Sequence, residues 1–292
     1  MSTAQRVIGV DLGGTKILAG VVDASGRIDR TLEVATPTSS QEELVDALVG
    51  VVDELRAPDV VAAGFGVPTR VDQRTGVAIG AVNIPLHRLS LRDDIGSRIG
   101  LPVGAVNDGG AAALAELRLG AGRGTANLVM LTLGTGVGGG VVIDGRLYHG
   151  WAELGHTVIV VDGEPCVGAC SGRGHVEAYC SGTAADRVAV RELGGGASAH
   201  DLVAEGHPAL TQIGHYLGCA IGSLVNVFNP EVVVIGGGFG LAASDHLFPA
   251  ARLAILREAL APAGQTVRLA RAELGAGAGM IGAALVAFEA LD

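Results

Sequence analysis

Two stretches of this chain set glycine and threonine directly after an apolar run. Asp11-Leu12-Gly13-Gly14-Thr15-Lys16 follows Val7 to Val10, and Gly134-Thr135-Gly136-Val137-Gly138-Gly139-Gly140 follows Val129 to Leu133. Glycine lets consecutive backbone N–H groups turn toward one concavity, and such a concavity binds anionic oxygens. The first bend adds the Asp11 carboxylate, the group needed to position hydrated Mg2+ beside a phosphate. The second carries no carboxylate and suits direct phosphate contact. A third cluster, Gly236-Gly237-Gly238, ends another apolar run and leaves room for an adenosine against the backbone. With 47 glycines in the chain, any one cluster is weak, and a tight hairpin without ligand competes for each. The echo between the first two bends favours a nucleotide held between two related halves. Neither bend is a G-x-x-x-x-G-K-[ST] phosphate loop, so Lys16, though grouped with the first bend, is not given that lysine's part.

Asp108 ends a second kind of apolar run, just before an alanine-rich stretch, and two readings compete for it. Asp and Asn are favoured helix caps, because their side chains accept from exposed N–H groups. The chemical reading makes Asp108 the base that takes a proton from an attacking hydroxyl during phosphoryl transfer, with Asn107 capping instead. Further on, Glu153-Leu154-Gly155-His156 and Glu177 surround Cys166, Cys170 and His175. Cys-x3-Cys-x4-His, with His156 ten residues upstream, offers the four ligands a closed tetrahedral zinc site requires. The spacing is not a standard zinc-finger pattern, and two reduced thiols beside two ordinary histidines is the alternative. Cys180 and Cys219 read as small buried apolar residues.

The elements that must hold these groups follow from periodicity. Each bend is expected to join two strands, the second runs being Ile17 to Val22 and Val141 to Ile143. Gln41 to Arg56 has helical spacing, Val60 to Val67 and Leu101 to Val106 read as strands, and Ala111 to Leu119 as a helix. Trp151 to Gly182 is expected to form loops and short elements. Pro208 to Phe228 reads as a long helix stopped by Asn229-Pro230, Glu231 to Ile235 as a strand, and Met280 to Leu291 as a last helix.

The 292 residues allow about two domains, and 49% hydrophobic against 3% aromatic content points to thin α/β layers. A formal charge of −10 without a basic run argues against a nucleic-acid partner. The first strand starts too early for a signal peptide, and Leu274 to Phe288 is too short and glycine-laden to span a membrane. The expectation is a soluble, cytoplasmic protein.

Taken together, the motifs resemble the repressor/ORF/kinase (ROK) family of sugar kinases and sugar-responsive repressors, particularly its bacterial glucokinase branch. They are Asp11 to Lys16, Gly64-Phe65-Gly66-Val67-Pro68, Asn107-Asp108, Leu133 to Gly140, Glu153 to His156, the Cys166 to Glu177 segment, and Asn229-Pro230 leading into Gly236 to Gly238. All seven in the family's order are far more specific than any one.

The resemblance implies a two-domain actin-like ATPase (ribonuclease H-like) α/β fold with nucleotide and sugar meeting in an interdomain cleft. Its N-terminal domain would span 1–107, completed by the helix over 280–292, and a larger domain over 108–279 would carry the zinc loop. It implies ATP-dependent phosphorylation of a hexose, glucose first, at the 6-hydroxyl. Asp108 would be the base, Mg2+ would sit near Asp11, and Asn83, Asn107, Glu153, His156 and Glu177 would contact the sugar. His156 would also bind zinc, and the protein would be a homodimer. An N-acylhexosamine acceptor or a polyphosphate donor are variants of the same reading. A sugar-sensing repressor is the competing class, but no DNA-binding module fits ahead of Val7.

The chain departs from the family pattern at Gly109-Gly110, where many relatives carry Ala-Asn. It departs again at His175, where the last zinc cysteine falls, and at the three-residue spacer between Cys166 and Cys170. Gly150-Trp151-Ala152 also gives a short lead into Glu153, altering the expected wall of the sugar pocket.

Overall fold

The first bend is the tip of a β-hairpin. β1 (Arg6–Leu12) runs antiparallel to β2 (Lys16–Asp23), and the pair closes at Leu12 and Ile17. The computed structural model describes residues 5–81, 84–168 and 170–291. These divide into two compact units, one of Met1–Ala115, His149–Trp151 and Ala276–Asp292, the other of Glu116–Tyr148 and Ala152–Gly275.

In the first unit, β3 (Ile28–Ala35) adds antiparallel to β2, and helix α1 (Gln41–Leu55) crosses to β4 (Val60–Val67). α1 starts where the Ser40 hydroxyl accepts the Glu43 N–H, and it buries the expected stripe, including Leu44, Leu48, Val52 and Leu55. Three short strands, β5 (Val71–Asp72), β6 (Val77–Gly80) and β7 (His87–Ser90), form a small separate sheet. The short helix α2 (Gly96–Ile99) leads into β8 (Val103–Asn107) and helix α3 (Asp108–Leu119). The main sheet has the order β3-β2-β1-β4-β8, with β1, β4 and β8 parallel.

Side chains alternate across this sheet. Ile8, Val10 and Leu12 face the α1 side, whereas Val7 packs with Ala284, Ala287 and Phe288 of the C-terminal helix (Ala278–Glu289). That helix lies unusually close to the strands because four glycines stand side by side beneath it. Gly20, Gly9, Gly64 and Gly104 are in register on β2, β1, β4 and β8. A Cβ at Gly9 would overlap the Met280 carbonyl, one at Gly64 that of Ala283, and one at Gly104 that of Val286. The backbone of the helix thus beds directly on the backbone of the sheet.

The second unit repeats the plan. β9 (Leu128–Leu133) and β10 (Val137–Ile143) form an antiparallel hairpin, extended by β11 (Arg146–Leu147). α4 (Val176–Cys180), α5 (Gly182–Leu193), α6 (Ala199–Glu205) and α7 (Ala209–Phe228) precede β12 (Val232–Gly236), which is parallel to β9. α8 (Gly238–Glu258) and the short α9 (Ala263–Thr266) lead to β13 (Arg268–Arg271), parallel to β12. The order β11-β10-β9-β12-β13 is that of the first sheet, strand for strand. The duplication is the signature of the actin-like, ribonuclease H-type fold.

Three expectations need correction. α3 begins at Asp108 rather than at Ala111, because Asn107 satisfies its first free N–H groups. The second bend is shorter than its glycines suggest: Val137 already pairs with Leu133, so Gly138, Gly139 and Gly140 belong to β10. Cys219 is half-buried rather than buried, its sulfur 3.8 Å from His215 Nε2 and accepting from Arg257 Nη2 at 3.8 Å.

Candidate active site

The first bend is pinned from beneath and open above. Gly13 N–H donates to the Lys16 carbonyl (2.9 Å), and the Thr36 hydroxyl donates to the Gly13 carbonyl (2.8 Å). Gly14 and Thr15 are exposed, and nothing occupies the space beside Gly14. Lys16 turns away to Glu33 on β3, with Nζ 2.7 Å from Oε2, an arrangement consistent with denying it a phosphate-loop role.

Asp11, on the C-terminal-helix face of β1, packs its carboxylate on Gly279 in that helix's first turn, where a Cβ would lie 2.5 Å from Oδ2. Burial pushes its acid up to about 6, and the negative charge of Asp108 adds to the rise, with Lys16 opposing. Two carboxylates brought together this way favour a shared cation.

Asn107 and Asp108 divide the start of α3 between them. The Asn107 side-chain carbonyl accepts the N–H groups of Gly109 (3.0 Å) and Gly110 (3.3 Å), and its amide donates to the Thr69 carbonyl (3.2 Å). Asp108 Oδ1 accepts the Gly109 N–H at 2.7 Å. Capping is therefore chiefly Asn107's work. Asn83 lies outside the described residues.

The second unit gathers the remaining groups. The Gly134–Gly136 bend is closed by Gly134 N–H on the Gly136 carbonyl (2.9 Å), and the Gly134 carbonyl accepts the N–H of Gly182 (2.7 Å). Thr135 at its tip is exposed. Gly237, at a φ of 81°, presses on the Leu133 backbone, so the third glycine cluster stands beside this bend. Gly236 ends β12 and Gly238 opens α8 with free space around it.

Gly155 has its own reason to be glycine, since a Cβ there would overlap the Val137 carbonyl. That contact brings the turn carrying Glu153 and His156, both exposed, against the start of β10. Glu177 reaches the same place: Oε2 accepts the Val137 N–H at 2.7 Å, and Oε1 lies 3.7 Å from Cys166 Sγ.

His156, Cys166, Cys170 and His175 converge, their ligand atoms all within 4.8 Å of one another. The two Nδ1 atoms are 3.3 Å apart, and His156 Nδ1 is 3.7 Å from Cys166 Sγ. His175 Nδ1 is 3.2 Å from Cys166 Sγ and 3.7 Å from Cys170 Sγ. Zinc bonds of about 2.0 Å to nitrogen and 2.3 Å to sulfur give tetrahedral edges of roughly 3.3 to 3.8 Å. These separations match such edges, so the donor set suits a tetrahedral Zn2+, with His175 offering a nitrogen where the family pattern has a cysteine. Burial, with the Cys170 thiol adding to it, pushes the Cys166 thiol up to about 12. A metal bound there would have to displace the thiol proton.

Sequence reasoning missed several supports. Thr36 and Thr69 brace the first bend and Asn107, and the Gly182 N–H anchors the second bend. Arg70 stacks over Trp151 at 4.3 Å. Only Gly182 carried a signal, standing after the helix-capping Ser181.

The ROK family profile matches residues 7–290. A glucokinase of Streptomyces coelicolor is 35% identical over 314 aligned positions, covering 97% of each chain. The crystal structure of a ROK hexokinase from Thermus thermophilus superposes with a TM-score of 0.86 at 35% identity, over 98% of this chain and 99% of that one. A ROK family glucokinase from Streptomyces griseus, solved in complex with glucose and AMPPNP, superposes with a TM-score of 0.80 at 34% identity, over 97% and 99%. By profile, by sequence and by fold, this chain belongs to the ROK family.

Proposed function

We propose that this protein transfers the γ-phosphoryl group of ATP to the 6-hydroxyl of a hexose, glucose above others. The observation that carries the reading is the start of α3, where Asn107 caps the helix while Asp108 stands close enough for its charge to make Asp11 a weaker acid. Glucokinase relatives near full length and the glucose–AMPPNP complex of a relative support the same substrates.

Asp108 accepts the proton of the 6-hydroxyl as its oxygen bonds to the γ-phosphorus. The bond to the bridging oxygen breaks and ADP leaves. Gly14 and Thr15 in the first bend and Thr135 in the second offer exposed groups to the phosphates, flanked by Gly13, Gly134 and Gly136, with Gly138 at the near end of β10. Gly236, Gly237 and Gly238 give the adenosine its backbone wall. Mg2+, when held near Asp11, neutralises the charge shared by the β- and γ-phosphates.

Asn107, Glu153, His156 and Glu177, together with Asn83, recognise sugar hydroxyls; such groups discriminate well because a wrong sugar leaves them unpaired. Zn2+ on His156, Cys166, Cys170 and His175 staples a segment that has little core of its own.

A homodimer completes the reading. Val227 on α7 and Leu253 and Leu256 on α8 are 72%, 71% and 55% exposed, and Leu260 just beyond α8 is 75% exposed. A second copy would cover such a surface. A coupled assay crossing ATP and polyphosphate with glucose, mannose and N-acylhexosamines tests the assignment. ATP with glucose should give the highest kcat/KM, and a flat response to every sugar would remove the kinase reading.

A further inference from the structure

We infer that Glu177 is a strut through which the metal cluster sets the shape of the second phosphate bend. The inference rests on the proposal that the Gly134–Gly136 bend takes nucleotide phosphate, and its test reads the bend without any substrate.

The carboxylate lies between two structures that the sequence keeps far apart. Its Oε2 accepts the Val137 N–H at 2.7 Å, and Gly136 lies so close beneath that a Cβ there would overlap it. Its Oε1 is 3.7 Å from the Sγ of Cys166, which is only 6% exposed. At 2.7 Å the bond from the Val137 N–H is a short side-chain hydrogen bond on the end of the bend.

The backbone of Glu177 is itself fixed by the metal segment. Val176, 1% exposed, donates its N–H to the Thr157 carbonyl (2.9 Å), and Ala178 donates to the carbonyl of the ligand His175 (3.0 Å). Two peptide units separate the ligand from the strut.

The other attachments of the bend come from the same stretch. Gly182 N–H holds the Gly134 carbonyl, and Gly155 rests on the Val137 carbonyl one residue before the ligand His156. Among the described residues between Glu153 and α4 there are one 3-10 turn, two isolated β-bridges and a few backbone hydrogen bonds, so a metal held by the four side chains would add a strong closure. Loss of the metal should therefore reach the nucleotide side and not the sugar side alone. A Glu177 that served only as a sugar ligand would leave the bend unaffected.

Amide hydrogen exchange of the full-length, ligand-free protein separates the two roles. The Val137 N–H has Glu177 as its acceptor, so its exchange reports the strut directly. Glu177→Ala should speed Val137 exchange at least tenfold, and so should chelation of zinc from the wild-type protein. Glu177→Gln should stay near wild type, because its side-chain carbonyl accepts the same N–H. The dissociation constant of a nonhydrolysable ATP analogue should rise with exchange in the first two samples and stay level in the third. Unchanged Val137 exchange in Glu177→Ala overturns the strut, and unchanged exchange after chelation overturns the coupling to the metal. A protein that phosphorylates no sugar but shows this exchange pattern would keep the strut and lose the kinase reading.

Discussion

Replacing Asp108 with Asn preserves its size and its acceptor for the Gly109 N–H, and removes only the group that takes a proton. Asp108→Asn should lower kcat by about 10²–10⁴ while leaving the affinity for ATP near wild type, as steady-state kinetics would show. Asn107→Ala removes the acceptor of two helix N–H groups, and urea melts should register a loss of about 1 kcal/mol. Asp11 is the reverse case. Its acid is raised from 3.8 to about 6, first by burial and then by Asp108, so ionising it costs the folded state. The stability it leaves intact below pH 4 is lost as pH rises through 6. Asp11→Asn should therefore stabilise the ligand-free protein at pH 7.5 by about 3 kcal/mol, a gain that vanishes by pH 4, while abolishing Mg2+-dependent nucleotide binding. That Asp11 and Asp108 could carry chemistry was legible from residue type and position. What the sequence did not reveal is that Asn107 does the capping, because Asn and Asp are equally good caps on paper.

The bedding of the C-terminal helix on the first sheet shows what element-scale reading loses. Met280 to Leu291 reads as an apolar helix, and the helix runs over Ala278–Glu289. Its seat was hidden, since Gly9, Gly20, Gly64 and Gly104 look unrelated until strand register aligns them. Gly64→Val should cost about 3 kcal/mol or more in a denaturant melt, because a side chain there must displace helix backbone. Gly50, exposed on α1 with open space beside it, is the control, and Gly50→Ala should stabilise by up to about 1 kcal/mol. α8 escaped notice because it opens on glycine and holds Pro249 within its length. Glu116 escaped for a different reason. A glutamate in an alanine-rich helix reads as solvated, yet its fully buried carboxylate accepts the N–H groups of Ala121, Glu273 and Leu274. Such contacts join residues over 150 positions apart, and no local pattern announces them.

On the scale of the whole molecule, the duplicated strand order accounts for two glycine bends in one chain. Each unit places an antiparallel hairpin at the same position in its sheet, and the bend is that hairpin's tip. The repeat was visible at the bends because both set glycine and threonine directly after an apolar strand. It was invisible elsewhere, because the strands need only be apolar. Among the described residues the Cys/His cluster has no counterpart in the first unit, and its four side chains stood out as candidates because Cys and His are close together in that stretch. Removing zinc with a chelator should lower the melting temperature by several degrees and release a segment near 156–175 to protease, with re-addition restoring both. Unchanged melting in metal-free protein, verified by elemental analysis, would show the four side chains to be a cluster without a structural ion.

Phosphorus NMR of the purified protein with ATP, Mg2+ and glucose, run beside Asp108→Asn, tests the central claim most directly. The wild-type protein should convert the γ-phosphorus into one phosphomonoester coupled to the protons on carbon 6, with ADP formed in equal amount and none of the ester from the variant in the same time. Orthophosphate in place of the ester, an ester on another hydroxyl, or equal rates in the two proteins would contradict it.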